Sequence, residues 1–411
     1  MPNIKSFNYF SPGIILLVIA ALPSFLMNIG QASSMALGLS FVLAIIFCLY
    51  IFSNHRRCRS YAILLISLII PLLFLVSAIS FFQNDGFDFD RFYQTSAYLF
   101  AFLLGAYCLT LFIQELTEPE IDFAVKIVFY ILMSCMFLTI LGFGGLFTPS
   151  GFSGKPVLLF IEPSHLAIVF LPYILYLTVI AKGKKKAHLI LVVFLTSLLI
   201  QNATLFLGCI LVAGITLSMR AFLFCSCLGL LSSYFIGIDY FLERIDFTKL
   251  NNVSTLAYVS GWERAYLSFL ETSGIGVGFQ QFGIIGSKGE TMKILNDLGG
   301  NDLCLLDGAS IAPKVIGEFG ILGAILIIVY IFYCAKQARY LCKISGNKLM
   351  IMSRHDIFFR SFFVMYMVDI LVRGAAYFSS SSLIFAASLI WIMKQPKHVI
   401  STSALCLAKP I

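Results

Sequence analysis

The sequence predicts an all-α fold: a polytopic integral membrane protein of about twelve transmembrane helices with one long extracytoplasmic loop. Two observations carry this. Hydrophobic residues make up 60% of the 411 and charged residues only 12%, against ~25% charged in a soluble domain. Such a chain cannot present an ordinarily wetted surface, so the bilayer must be its main solvent. Apolar runs of about 20 residues, the length that crosses the hydrocarbon core, also succeed one another with short polar connections. The exception is the polar stretch from Asp239 to Gly320.

Candidate spans lie near 11–29, 33–53, 61–82, 94–114, 123–146, 164–181, 187–201, 203–219, 221–238, 315–335, 361–378 and 381–394. The chain therefore divides into 1–238 with nine spans, a long loop over 239–314, and 315–411 with three spans and a tail. The first run follows Lys5 and could pass for a signal peptide. No small-x-small cleavage site closes it and a second span follows at once, so it reads as a transmembrane helix.

The region 187–219 has two halves of only about 15 residues, divided by Gln201-Asn202-Ala203-Thr204. Charge favours two helices over one broken one. With twelve spans, 19 of the 28 Lys and Arg fall on the cytoplasmic side, including Lys182, Lys184, Lys185, Lys186 and the six from Lys336 to Arg360. Merging the halves would export that last basic segment, against the positive-inside rule. Both termini are then cytoplasmic and the long loop is outside. Within the loop, Trp262, Tyr266, Phe269 and Leu270 share one helical face, with Arg264, Ser268 and Glu271 on the other. This predicts an amphipathic helix on the membrane surface, with Arg264 at headgroup level.

The net charge is +8, and of the 11 cysteines only Cys304 lies in the long polar stretch. No disulfide framework, metal-ligand spacing or cofactor motif follows, and the five histidines are scattered. Gly274, Gly276 and Gly278 lack the strand–helix setting of a nucleotide motif. Tight turning or close backbone approach suits them better. The sequons at Asn202 and Asn252 read as chance.

Four outer positions carry chemistry, each with a plainer alternative. Glu162 and His165 stand at the mouth of the sixth span, after which Pro163 suits a first helical turn. Glu162 is either a charge favoured by the helix dipole or a general base, with His165 as its helper. Arg264 is either a solvated charge or an anion ligand. Arg373, inside or at the end of an apolar span, is functional by default, unless it snorkels or pairs with Asp369. Lys155 and the Gln201–Thr204 turn are polar groups at an outer mouth. Cations beside a carboxylate and an aromatic helix suit a lipid-linked diphosphate, whose oxygens match arginine forks.

Glu162-Pro163-Ser164-His165-Leu166-Ala167, Gly261-Trp262-Glu263-Arg264, Gly274-Ile275-Gly276-Val277-Gly278, Glu318-Phe319-Gly320-Ile321-Leu322-Gly323 and Arg373-Gly374-Ala375-Ala376-Tyr377-Phe378 occur in this order. Together they cover most of residues 150–380. The set resembles the O-antigen polymerases (Wzy type) of Gram-negative bacteria and, more distantly, the O-antigen ligases. Ligases tend to carry an arginine at the turn matching Gln201–Thr204, and this chain has none there. The resemblance implies a GT-C-like bundle in the bacterial inner membrane with a periplasmic loop. It implies glycosyl transfer between undecaprenyl-diphosphate-linked oligosaccharides with no metal or other cofactor. Membrane lipid and a chain-length regulator protein would be partners, and nucleic acid would not. The expected roles are Glu162 as base, His165 in acceptor positioning or proton handling, and Arg264 and Arg373 on the leaving diphosphate, with Lys155 a lesser cation there. A ligase, or a transporter or flippase without chemistry, is the competing expectation. Charge nearly confined to Asp369 and Arg373 within the spans counts against the latter.

Overall fold

The computed structural model describes residues 4–52, 71, 73–82, 86–148, 155–223, 227, 252–346 and 352–394. Among these the chain is all-helical, with no strand beyond isolated bridges at Val157–Phe160 and Phe282–Ile285. The helices are α1 (Ile4–Asn28), α2 (Met35–Phe52), α3 (Leu73–Phe82), α4 (Phe89–Glu115), α5 (Glu118–Leu138), α6 (Pro163–Ile180), α7 (Lys184–Leu199) and α8 (Ala203–Thr216). They continue with α9 (Val253–Glu271), α10 (Glu290–Asp297), α11 (Ile311–Gly346), α12 (Arg354–Leu371) and α13 (Ser380–Lys394). Five of them are long and apolar enough to cross a membrane: Ser11–Asn28, Phe89–Glu115, Glu118–Phe143, Pro163–Ile180 and Ile311–Gly346. Shorter apolar helices occupy Met35–Ile51, Leu73–Phe82, Ala203–Thr216 and Ser380–Lys394. The expected span at 221–238 lies, apart from 221–223 and 227, outside the described residues.

The centre of the bundle is α6. Every residue from Leu166 to Val179 is buried, as expected of a helix that is apolar all round. It packs against α5, α7, α8, α11 and α12. Phe170 stacks on Phe129 of α5, and Tyr173 meets Phe362 of α12 edge-on with centroids 5.0 Å apart. Side α8 comes closest at Gly208, where a Cβ would sit 2.1 Å from Leu171.

The 187–219 region is two helices. Gln201 takes a left-handed φ of 55°, and Asn202 caps α8 by accepting from the Leu205 amide at 3.1 Å. The helix expected over 361–378 ends at Leu371 instead. There the amides of Val372 and Arg373 both bond to the Val368 carbonyl, Gly374 N–H turns to the Ala309 carbonyl, and Ala376 has a φ of 72°. Arg373 therefore lies in a connection and not within a helix.

Helix ends collect at two poles. At one, Asn202 donates to the Pro163 carbonyl at 2.6 Å and Tyr258 to that of Leu371 at 2.7 Å. At the other, Lys186 bonds Ser345, Ser345 bonds the Thr216 carbonyl, and Trp391 bonds Asp356. The first pole holds the candidate site.

Candidate functional site

The approach to α6 is fixed before the helix begins. Asn28 and Ser24 of α1 bond the Leu158 carbonyl at 2.6 Å and the Ile161 amide at 3.1 Å. Leu158 has a φ of 47° in the tight turn Val157–Phe160. The chain then reaches Glu162 in extended backbone at the cap position of α6, with Pro163 opening the helix.

The Glu162 carboxylate does not cap the helix with its side chain. Its Oε2 accepts from Arg373 Nη2 at 3.0 Å and from the Ser164 hydroxyl at 2.9 Å. The alternative pairing of Arg373 with Asp369 is not the one formed: Asp369 is buried and accepts from the Ser381 hydroxyl at 3.1 Å. Burial alone would raise the Glu162 pKa. The charges of Arg373 and His165 and the two hydrogen bonds outweigh it and hold the carboxyl at about 2. In this state Glu162 is a counter-ion and a weak base. An anion that competed for Arg373 would return its basicity.

His165 lies one turn into α6, within electrostatic reach of Glu162, Arg373 and Asp307. Its Nδ1 is buried without a hydrogen-bond partner. The ring lines a small cavity with Ser24, Ser379, Ser380 and Ser381.

Arg264 corrects an expectation. It faces inward, 2% exposed, not toward headgroups. Its terminal nitrogens donate to the Leu305 carbonyl and, at 3.0 Å, to that of Cys304. The guanidinium lies 4.4 Å over the Phe282 ring. Burial lowers its pKa to about 10, so it stays charged at neutral pH. Ser268, expected on the same face, is buried with it, whereas on the apolar face Tyr266 and Leu270 are exposed and Trp262 and Phe269 half-buried. Lys155 is exposed, on the segment that leads to Glu162.

The structure adds two charged groups, Lys314 and Glu318, to which the sequence alone assigns no role. Lys314 is buried at the head of α11, 3.4 Å from Asp307 Oδ1 and from Gln280 Oε1, and 4.7 Å over the Tyr377 ring. Glu318, one turn on and fully buried, accepts from the Tyr377 hydroxyl at 3.0 Å and lies 4.0 Å from Lys314. Charge inside the expected spans is thus not confined to Asp369 and Arg373. The available signal was the i, i+4 spacing of Lys314 and Glu318 at the start of an apolar run.

The glycines place this second group. Gly276 and Gly278 both have φ of 94°, and the amides of Val277 and Gly278 bond the Gly317 and Glu318 carbonyls at 2.9 Å. A Cβ on Gly276 would stand 2.5 Å from the Glu318 carbonyl oxygen, so only glycine allows this approach. Gly320 answers it with a φ of 55°, kinking α11. Among the described residues no group of three or more His, Cys, Asp and Glu could hold a metal ion.

No protein family, characterised protein or solved structure matches this chain. The site must therefore be read from its own chemistry. Arg373 gives one terminal nitrogen to the Glu162 carboxylate, a charge-assisted bond that a phosphate oxygen can also accept. The Glu162 carboxylate stands beside it with the His165 imidazole in electrostatic reach, and Asp307, half-exposed, pairs with Lys314.

Proposed function

We propose that this chain is a membrane glycosyltransferase of the O-antigen polymerase type. It joins oligosaccharide repeat units carried on undecaprenyl diphosphate at the periplasmic face of the bacterial inner membrane. The proposal includes the twelve-span topology, with both termini cytoplasmic and the long loop periplasmic. The observation that carries it is the Glu162–Arg373 pair at the head of the central helix. It sets the cation that a diphosphate needs against the carboxylate that an acceptor hydroxyl needs.

In the proposed step the donor diphosphate takes Glu162's place on Arg373. This cancels the positive charge that holds the Glu162 carboxyl low, and frees it to accept the acceptor hydroxyl's proton. The hydroxyl oxygen bonds to the donor anomeric carbon as the carbon–oxygen bond to the diphosphate breaks. Undecaprenyl diphosphate leaves with the negative charge, which Arg373 stabilises. His165 orients the acceptor or relays the proton. Arg264, with its terminal nitrogens on main-chain carbonyls, is not assigned to the diphosphate here, and Lys155 keeps only a place on the approach.

The test is a lipopolysaccharide gel from a strain lacking the gene beside its complemented parent. The proposal expects core bearing a single repeat unit, with the ladder gone. Bare core would assign the chain to ligation or flipping instead, with long lipid-linked glycan outside the cytoplasm marking the ligase. An unchanged ladder would sink the O-antigen reading.

A further inference from the structure

We infer that Arg264 is a positioning residue: it braces the Gly299–Ser310 loop, and through Cys304 of that loop it fixes the guanidinium of Arg373. Only the link to the reaction rests on the function proposed above.

The loop needs a brace. Asn301, Asp302, Cys304 and Ala309 all have left-handed φ between 44° and 59°, a region non-glycine residues seldom occupy unless the surroundings hold them there. Its own hydrogen bonds are turn-like, such as Leu305 N–H to the Asp302 carbonyl and Gly308 N–H to that of Cys304. Arg264 reaches it from α9, some forty positions earlier in the chain, and ties two successive carbonyls with one planar fork. Among the described residues no carboxylate forms an ion pair with Arg264. A buried guanidinium whose terminal nitrogens hold carbonyls under an aromatic face, with Nε left without a hydrogen-bond partner, is held for geometry, not for charge neutralisation.

The braced loop delivers three contacts to the site. Cys304 Sγ accepts from Arg373 Nη1 at 3.7 Å, on the side of the guanidinium away from Glu162. Asp307 faces Lys314 at 3.4 Å, and the Ala309 carbonyl receives the Gly374 amide at 3.0 Å, next to Arg373. Arg373 is thus gripped by Glu162 on one nitrogen and by the loop on the other. Gly283 completes the brace: a Cβ there would lie 2.3 Å from the Leu305 carbonyl oxygen and 2.8 Å from Arg264 Nη1.

The experiment reads Cys304 directly. Membranes containing the full chain are treated with N-ethylmaleimide, and labelling of Cys304 is followed by mass spectrometry against the exposed Cys342 as internal reference. Arg264→Gln and Arg264→Lys are both expected to label at Cys304 about tenfold faster than the parent, because neither can hold two carbonyls at once. Gly283→Ala, which wedges the same contact from another segment, is expected to move in the same direction and stands in should the Arg264 variants fail to accumulate. On the gel, Arg264→Lys should lose polymer as fully as Arg264→Gln, whereas a direct diphosphate ligand would keep part of its function as lysine. Unchanged Cys304 labelling in folded variants would overturn the inference. Polymer made normally by Glu162→Gln or Arg373→Ala would remove the proposed function but leave the labelling result standing.

Discussion

Glu162 and Arg373 lie 3.0 Å apart across 211 positions of chain, joining the head of α6 to the connection after α12. The pair ties the most buried helix of the bundle to a segment held by the loop that precedes α11. Its pH dependence follows from the Glu162 carboxyl, lowered from its usual 4.5 to about 2. A depressed carboxyl stabilises the fold at pH above its usual value, and that contribution fades as pH falls toward 2. With the Glu162 side chain 39% exposed, the pair contributes about 1 kcal/mol or less. The melting temperature of Arg373→Ala in detergent should therefore fall below the parent's at pH 7, with the gap closing below pH 4.5.

Lys314 and Glu318 are buried beside one another, so their variants should be strongly non-additive. Lys314→Met leaves a buried carboxylate without its cation and should cost about 3–5 kcal/mol. Adding Glu318→Leu should recover part of that loss. Tyr377→Phe, which removes the hydroxyl 3.0 Å from Glu318, should cost about 1–3 kcal/mol. Thermal unfolding of the purified variants measures all three.

At Gly320 an added Cβ would stand 1.9 Å from the Gly274 carbonyl oxygen. Two main-chain segments meet there, and neither can move aside as a flexible side chain would. Gly320→Ala should abolish accumulation of folded protein in membranes, and Gly276→Ala should reduce it. An immunoblot of membrane fractions against the parent decides this.

Asn202 both caps α8 and donates to the Pro163 carbonyl, next to Glu162. Asn202→Ala should cost about 1–2 kcal/mol of stability and lower polymer yield through the displaced start of α6. Asn202→Asp keeps the capping acceptor but loses the donor to Pro163. It should be more stable than the alanine variant yet no better in yield.

The sequence made the helices legible, because runs without charge leave few other solutions in a bilayer. It also exposed Glu162, His165 and Arg373, since polar groups stand out against apolar neighbours. The close-approach reading of Gly276 and Gly278 was open to sequence for a related reason: three alternating glycines with no strand–helix setting suit little else. The burial of Arg264 was not legible. It depends on carbonyls some forty positions away, and a backbone acceptor leaves no mark in a sequence. Lys314 and Glu318 were hidden at the seam of loop and span, where charge is ordinary. The end of α12 at Leu371 was also missed. The apolar run continues past it, and the capture of the Gly374 amide by Ala309 is a tertiary contact that hydropathy does not register.

The most direct test of the Glu162–Arg373 centre is complementation of the gene-deficient strain with Arg373→Ala and with Glu162→Gln. Lipopolysaccharide gels are read beside immunoblots of the same membranes. The pair as functional centre requires protein at parental level with core carrying one repeat unit and no ladder, for either variant. A full ladder from Arg373→Ala, with the protein in the membrane, would contradict it.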